Sequence, residues 1–148
     1  MKLLLQRVTS ASVEVDGQVT GKIDMGLVVF LCAVKGDSDK DLDYLVKKVL
    51  QLRIFEDEQG KMNLSVMDVP GAALVVSQFT LAAATRKGNR PSFDNAEAPN
   101  RAKDLYEEFV QRLKDAGVPV QTGVFAAMMA VSLVNDGPVT IWLDSREQ

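Results

Sequence analysis

The feature that most limits the fold of this chain is a continuous apolar run of strand length. Residues 26–34 read Gly-Leu-Val-Val-Phe-Leu-Cys-Ala-Val and contain no charged side chain. A short apolar run of this kind is typical of a strand that is buried on both faces, and it is too short to cross a bilayer. The chain is therefore expected to be built around a covered β-sheet rather than a membrane span.

The segments on either side of this run also have the pattern of strands. Residues 1–8 alternate between apolar and polar side chains, and residues 13–15 and 19–23 repeat the pattern around Asp16-Gly17, which is a strong hairpin signal. Further short apolar runs predict strands at residues 53–55, 72–78, 118–122, 128–134 and 139–143. The polar tail after residue 143 is expected to fray.

Two segments change to a helical period. Residues 39–50 place Leu42, Leu45 and Val49 on one face, with Ser38 or Asp39 as the cap. The second helix is expected at residues 99–116, with Pro near its start and Gly directly after its end. With 148 residues, of which 47% are hydrophobic, these elements fit a single α/β domain over residues 1–148 with a β-rich sheet and two main helices.

The composition removes several kinds of catalysis. There is no His, so Ser-His and Cys-His pairs, a His general base and the usual zinc site are excluded. Cys32, the single cysteine, lies within the apolar run and is interpreted as a small buried hydrophobe. Backbone amides, hydroxyls, carboxylates, Lys, Arg and groups of the substrate remain, and no cofactor or metal is expected.

Net charge and the N-terminal pattern limit the partners and the location. A charge of −3 argues against broad coating of nucleic acid, although a small basic patch can still meet one end of an RNA. The chain begins with strand-like alternation instead of a charged leader and a long apolar segment, so a cytoplasmic location without membrane contact is expected.

The stretch Asn135-Asp136-Gly137-Pro138-Val139-Thr140 is hard to explain by folding alone. It lies between two apolar runs and is therefore interpreted as a turn between strands. A Pro directly after Gly removes a backbone donor and makes Gly137-Pro138 one of the few bonds in the chain that can be cis. The alternative is an ordinary hairpin with a trans Pro at its edge.

Three further features carry candidate chemistry. Ser77-Gln78-Phe79-Thr80-Leu81 places hydrogen-bonding side chains at the end of a predicted strand, where active-site groups are common. Arg7 interrupts the first strand and is either solvated or holds another backbone segment through its planar donor fork. Residues 85–91 carry Arg86, Lys87 and Arg90 without a regular period, which suits either a solvated loop or a phosphate contact.

Taken together, these motifs resemble those of the D-aminoacyl-tRNA deacylase family. The resemblance covers nearly the whole chain, and its most specific parts are the Ser-Gln-Phe-Thr and Asn-x-Gly-Pro-Val-Thr motifs. The matching segments are Gln6-Arg7-Val8, Gly60-Lys61-Met62-Asn63-Leu64, Ser77-Gln78-Phe79-Thr80-Leu81, Arg90-Pro91-Ser92-Phe93, Thr122-Gly123 with Phe125, and Asn135-Asp136-Gly137-Pro138-Val139-Thr140. The chain departs from the family at residues 126–129, where relatives often have Gly after the Phe and an acidic or polar residue at Met128.

The resemblance implies an esterase with a barrel-like α/β fold that removes D-amino acids, and also glycine, from the 3′ end of tRNA. It implies a homodimer in which Gly137-Pro138 is cis and enters the partner's pocket, where its carbonyls reject L-aminoacyl groups. The implied oxyanion donors are the backbone amides of Phe79 and Thr80. Ser77 and Gln78 would hold the terminal adenosine and the acyl group.

The supporting roles implied are that Arg7 holds the Gly-Pro loop and Phe125 forms a wall of the adenosine or acyl pocket. Arg86, Lys87 and Arg90 are candidates for contacts with tRNA phosphates. Three alternatives stay open. In the first, Thr80 acts as a covalent nucleophile. In the second, the chain is a non-catalytic RNA- or nucleotide-binding module, and in the third it cleaves small D-acyl esters without tRNA.

Overall fold

A computed structural model describes residues 1–147 of the chain as a mixed α/β fold. The strands are β1 (Lys2–Val15), β2 (Gln18–Ile23), β3 (Gly26–Cys32), β4 (Phe55–Glu56), β5 (Met62–Leu64), β6 (Ala72–Ser77), β7 (Val120–Thr122) and β8 (Ala130–Asp144). The helices are α1 (Asp39–Gln51) and α2 (Pro99–Asp115), with a short 3₁₀ helix at Phe79–Ala82. In residues 1–147 we find no helix with the length and apolar character that a membrane span needs.

The long strand β1 organises the main sheet. One of its edges pairs with β8 along almost the whole length, antiparallel, and β3 and β2 follow each other along the other edge. β3 pairs in parallel with β6, and β6 pairs in parallel with β7. The apolar run at residues 26–34 therefore forms the central strand β3 between β1 and β6, and its residues 27–29 are buried as predicted.

The sheet curls until β2 comes close to β7, so that the barrel is nearly closed. At Gly21 of β2, an added Cβ would lie 2.5 Å from the carbonyl oxygen of Thr122 in β7. A glycine is needed there because any side chain would meet backbone that cannot move aside cheaply. The inside of the curl is filled by a small apolar cluster that includes Val8, Val13 and Leu74.

The larger core lies between the outside of the sheet and the two helices. α1 contributes Leu42, Leu45 and Val49, as the helical period predicts, and α2 contributes Phe109 and Leu113. Both helices are amphipathic, and burial of their apolar stripes against Leu and Val residues of the strands supplies the main stabilising term. The β-rich, barrel-like sheet with two main helices is therefore confirmed.

Several predictions about single elements hold and several fail. The hairpin at Asp16-Gly17 is present, and both residues have positive φ, 50° and 76°. β4 and β7 are shorter than the runs that predicted them, and β5 was not predicted. The prediction of a frayed tail is wrong, because Ser145 is buried and its amide donates to the Met1 carbonyl oxygen at 3.0 Å.

Candidate active site

The Gly-Pro stretch is a loop within one strand. β8 pairs with β1 both before and after it, with Asn135 opposite Val8 and Thr140 opposite Gln6. Residues 136–139 therefore face Arg7 alone, and the expected hairpin turn between two separate strands is wrong. The chain leaves the ladder here because Pro138 has no amide hydrogen to donate and Gly137 has φ 134°.

The Gly137-Pro138 peptide bond is cis, as the family resemblance implies, and not trans as in the ordinary hairpin. Residues 136–138 are exposed, whereas Val139 directly after them is buried. The side chain of Asn135 closes the base of the loop. Its Oδ1 accepts from the Val139 amide at 2.7 Å, and its Nδ2 donates to the Thr140 hydroxyl at 3.0 Å. No sequence pattern indicates this role of Asn135.

Arg7 holds the loop from the side of β1. It is only 4% exposed, and its Nε donates to the Asp136 carbonyl oxygen at 3.0 Å. Its Nη1 donates to the Ile54 carbonyl oxygen at 2.7 Å, just before β4. Of the two interpretations of Arg7, the structure therefore favours the one in which it crosses to another backbone segment. The guanidinium fork joins three segments that are far apart in sequence.

The second predicted stretch lies where β6 ends. The Gln78 amide donates to the Leu31 carbonyl oxygen at 2.7 Å, and the chain then turns into the 3₁₀ helix. The first hydrogen bond of this turn joins the Leu81 amide to the Gln78 carbonyl oxygen, so the amides of Phe79 and Thr80 precede it. Amides in the first turn of a helix are available to an acceptor from outside.

The side chains of this stretch are open to solvent. Phe79 is 57% exposed and packs edge-on against Phe93, with ring centroids 5.1 Å apart. The side-chain amide of Gln78 donates to the Thr80 hydroxyl oxygen. Cys32 lies below, with its thiol 3.5 Å from the Phe79 carbonyl oxygen, and burial raises the pKa of this thiol. A protonated, buried thiol is a poor nucleophile, in agreement with its interpretation as a hydrophobe.

Phe125 follows β7, which pairs with β6 on the side opposite to β3. Thr122 in β7 pairs with Val75, two residues before Ser77, and the Gly123 amide donates to the Val75 carbonyl oxygen at 3.3 Å. Phe125 contacts Tyr106 of α2, with ring centroids 5.9 Å apart. Burial raises the pKa of Tyr106 to about 12, so its phenol remains protonated at neutral pH.

The basic side chains of residues 85–91 extend into solvent next to this strand end. A β-bridge between Ala84 and Ser92 closes the base of the loop. Phe93, the next residue, contacts Phe79. Arg86, Lys87 and Arg90 are all exposed, and none forms an ion pair with a residue of the described chain. This arrangement leaves their charges available to an anionic partner.

The structure thus produces two groups of candidate residues. Arg7 and Asn135 belong with the Gly-Pro loop, whereas Phe93 and the loop of residues 85–91 (the basic loop) lie beside residues 77–80. Phe125 lies on the β7 side of β6, against Tyr106. No hydrogen bond or ion pair joins residues 137–138 to residues 77–80 within the described part of one chain. Phe93 and the Ile54 carbonyl were missed as site components, and only the match to the Arg90-Pro91-Ser92-Phe93 motif pointed to the first.

Comparison with known proteins identifies relatives over the full length. The family model described as D-Tyr-tRNA(Tyr) deacylase matches residues 4–144. A protein of Persephonella marina named D-aminoacyl-tRNA deacylase is 60% identical over 146 residues, which cover 99% of each chain. The solved structure of a c-Myc DNA Unwinding Element Binding Protein is 44% identical with a TM-score of 0.93, covering 97% of this chain and 98% of that one. A probable eukaryotic D-amino acid tRNA deacylase has a TM-score of 0.79 at 17% identity, covers 96% and 97% of the two chains, and supports the fold alone.

Proposed function

Because this chain belongs to the D-aminoacyl-tRNA deacylase family and is a hydrolase of aminoacyl-tRNA esters, we propose that it selects substrates by excluding L-aminoacyl groups at the Gly137-Pro138 loop. The observation that carries the proposal is how this loop is held. Its residues are exposed, while Arg7 and Asn135 fix the backbone on both sides of them. A surface loop held this firmly is suited to act as a wall.

The wall selects by steric exclusion. Backbone oxygens at residues 137–138 can accept from the amino group of a D-residue, but they collide with the side chain of an L-residue in the same pose. A clash against a close-packed, restrained segment has no cheap relaxation, so this kind of selection discriminates strongly. Glycine has no side chain to reject. The proposal therefore includes hydrolysis of glycyl-tRNA(Ala) and little preference for the identity of a D side chain.

The chemistry proposed for residues 77–80 needs no His. An aminoacyl ester is already reactive, and orientation together with stabilisation of the oxyanion supplies most of the required rate. In the proposed step, water attacks the carbonyl carbon and the amides of Phe79 and Thr80 donate to the oxyanion. The bond to the ribose oxygen then breaks and releases the amino acid. Ser77 and Gln78 orient the adenosine and the acyl group, and the free ribose hydroxyl of the substrate activates the water.

The functional unit in this proposal is a homodimer. The Gly-Pro loop and residues 77–80 form two separate groups within one chain, and delivery of the loop into the pocket of a second copy brings them together. Phe125 then forms a wall of that pocket. The proposal takes residues 1–148 as one domain that acts in the cytoplasm.

The exposed basic loop is proposed to contact tRNA phosphates. Arg86, Lys87 and Arg90 lie next to Phe93, which packs on Phe79, so an RNA whose 3′ end reaches residues 77–80 passes close to them. Charge reversal in Arg86→Glu/Lys87→Glu is expected to weaken tRNA binding and reduce its salt dependence. Hydrolysis of a minimal D-aminoacyl-adenosine should be unchanged, and unaltered tRNA binding would remove this loop from the site.

A comparison of four substrates tests the proposed selectivity. D-aminoacyl-tRNA and glycyl-tRNA(Ala) are expected to be hydrolysed, L-aminoacyl-tRNA is expected to be spared, and a free D-amino-acid ester should react poorly. Equal rates on the D- and L-forms would eliminate the exclusion model. Efficient cleavage of the free ester would instead favour the alternative esterase that acts without tRNA.

The Thr80→Ala variant tests which part of Thr80 acts. If its backbone amide is the functional group, the variant retains most of its activity, because the substitution leaves that amide in place. Loss of hydrolysis with unchanged substrate binding, or a trapped acyl-enzyme, would identify the hydroxyl as a nucleophile instead. The Thr80→Ser variant is the matched control, since it keeps the hydroxyl.

The second candidate function is binding of nucleic acid without catalysis. It is favoured by the name of the 44% identical solved structure, which describes that protein as binding a DNA element. A single-stranded DNA oligonucleotide separates the two functions. If DNA binds as tightly as tRNA and no D-aminoacyl ester is cleaved, the binding function replaces the proposed hydrolysis.

A further inference from the structure

We propose that a groove between α2 and the β7–β8 connection binds the single-stranded RNA that precedes the terminal adenosine of the tRNA. This inference rests on the proposed function, because it extends the RNA path away from residues 77–80. The groove has a volume of about 470 Å³. The side chains that line it and carry the inference are Lys103, Tyr106, Gln111, Lys114 and Phe125.

The helical side of the groove is a single stripe of α2. Residues 103, 106, 107, 110, 111 and 114 follow the spacing i, i+3, i+4, i+7, i+8, i+11, so they share one face of the helix. This face is continuous from the first turns to the last turn of α2. The groove therefore runs along the helix and is open to solvent at its surface.

The floor of the groove suits a nucleobase. Phe125 is partly exposed, and its ring is positioned by Tyr106, whose hydroxyl donates to the Val75 carbonyl oxygen at 2.9 Å. Unpaired bases in RNA commonly stack on aromatic side chains that are fixed in this way. A groove of this volume is large enough for a single strand but far too small for a duplex.

The walls of the groove suit a phosphate backbone. Lys103 and Lys114 lie eleven positions apart, which separates them by about 16 Å along the helix. In the described chain Lys114 has no ion pair, and Lys103 has only a surface pair with Glu107 at 3.7 Å. Glu107 is the one acidic side chain among the lining residues, so with the two lysines the lining carries a net charge of +1. Because both partners of the Lys103–Glu107 pair are more than half exposed, the pair is weak and a phosphate can replace Glu107.

The position of the groove connects it to the candidate active site. Gly123, on the loop side of the groove, donates to the Val75 carbonyl oxygen, and β6 reaches Ser77 two residues later. An RNA whose terminal adenosine lies at residues 77–80 therefore has the groove on the β7 side. The basic loop lies on the other side of the 3₁₀ helix, which contacts β3. We therefore assign the basic loop to the phosphates of the acceptor stem.

The test compares two double variants with the same change in net charge. Lys103→Glu/Lys114→Glu reverses the groove, and Lys40→Glu/Lys47→Glu reverses two exposed lysines of α1 as the control. The groove variant is expected to lose at least about 10-fold in kcat/KM on D-aminoacyl-tRNA. When log Kobs for tRNA binding is plotted against log salt concentration, the slope should become less negative by about 1.4. This change corresponds to the loss of two single-strand phosphate contacts. Hydrolysis of D-aminoacyl-adenosine should not change.

A second measurement uses uncharged tRNA, so that it does not depend on catalysis. The groove variant is expected to bind intact tRNA more weakly than the control variant does. The two should bind equally to a tRNA that lacks its single-stranded 3′ end. A persistent difference on the shortened tRNA, or equal binding of intact tRNA, overturns the proposal.

The outcomes also separate this inference from the proposed function. Failure of the parent protein to hydrolyse D-aminoacyl-adenosine refutes the proposed catalysis, while the tRNA-binding comparison still decides the groove. Loss of hydrolysis of both substrates in the folded groove variant would place the lysines in the chemistry and overturn their assignment to the RNA path. A melting curve like that of the control establishes that the groove variant is folded.

Discussion

At the scale of single residues, the candidate site depends on side chains that support backbone. Arg7 and Asn135 both direct their polar atoms at the Gly-Pro loop, and neither side chain is needed to complete a regular strand. The sequence made Gly137-Pro138 conspicuous because Pro after Gly is unusual inside an apolar stretch. It did not reveal the role of Asn135, since a contact between a side chain and a backbone four residues away depends on the exact path of the loop.

Gly137→Ala is predicted to damage the loop. Gly137 has φ 134°, and an added Cβ would lie 2.9 Å from Val139 Cγ2 and 3.0 Å from Arg7 Nη2. Both neighbours are restrained, so the loop has to shift. We expect a loss of stability of about 1–3 kcal/mol and at least about a 10-fold fall in kcat/KM on D-aminoacyl-tRNA. Urea denaturation and initial rates measure the two effects.

The control for this prediction is Gly17→Ala. Gly17 also has positive φ, 76°, but an added Cβ would have no neighbour within 4 Å. This variant should lose about 1 kcal/mol of stability and keep its rate on tRNA. If Gly137→Ala changed the rate no more than Gly17→Ala, the loop would have no special role in the reaction.

At the scale of elements, local signals identified the helices and the first hairpin well. The period of apolar residues gave both helices within one or two residues, because each helix buries a single stripe. The tail after residue 143 was misjudged, because its order depends on contacts with the other end of the chain. Ser145 accepts from the Met1 ammonium at 2.7 Å and donates to Asp41 at 2.6 Å, and no local pattern encodes such a contact.

Asp41 joins this tail to the start of α1, and its ionisation is predicted to stabilise the fold. Burial acts to raise its pKa, but hydrogen bonds from Ser145 and Ser38 outweigh burial and lower the pKa to about 2. A carboxyl whose pKa is lower in the folded state stabilises it fully above about pH 4, and this contribution is lost as the pH falls through about 2. The Asp41→Asn variant should therefore be less stable than the parent by about 1 kcal/mol at pH 7.

The pH dependence distinguishes this effect from a general loss of packing. Urea denaturation at pH 7, 4 and 2 should show the difference between parent and Asp41→Asn narrowing toward the acid end. Asp43→Asn, which removes an exposed carboxylate that pairs with Arg112 on the surface, should change stability by less than about 0.5 kcal/mol. A difference for Asp41→Asn that is constant over the pH range would contradict the assigned role of the charge.

At the scale of the whole molecule, β8 is the element that the isolated chain leaves incomplete. It is 15 residues long and pairs only with β1 among the strands of residues 1–147, so its other edge is open. Val134 and Trp142 are 56% and 43% exposed on this strand. Long apolar edge strands invite pairing and are normally protected. Sequence patterns predicted a buried sheet but could not tell which strand would lie at its edge, since that depends on the order of strands.

The last prediction concerns this edge and the proposed dimer. Val134→Lys adds a charge to the exposed face of β8, close in sequence to the Gly-Pro loop. If a second copy covers β8, the buried charge should shift the protein from dimer to monomer and lower hydrolysis of D-aminoacyl-tRNA at least about 10-fold. Val19→Lys, at a 57% exposed position on β2, should change neither property.

Sedimentation measured alongside activity decides between three results. A Val134→Lys variant that remains dimeric and active places the interface elsewhere, a fully active monomer refutes delivery of the loop to a partner, and an inactive monomer is the result that the separation of the two residue groups requires.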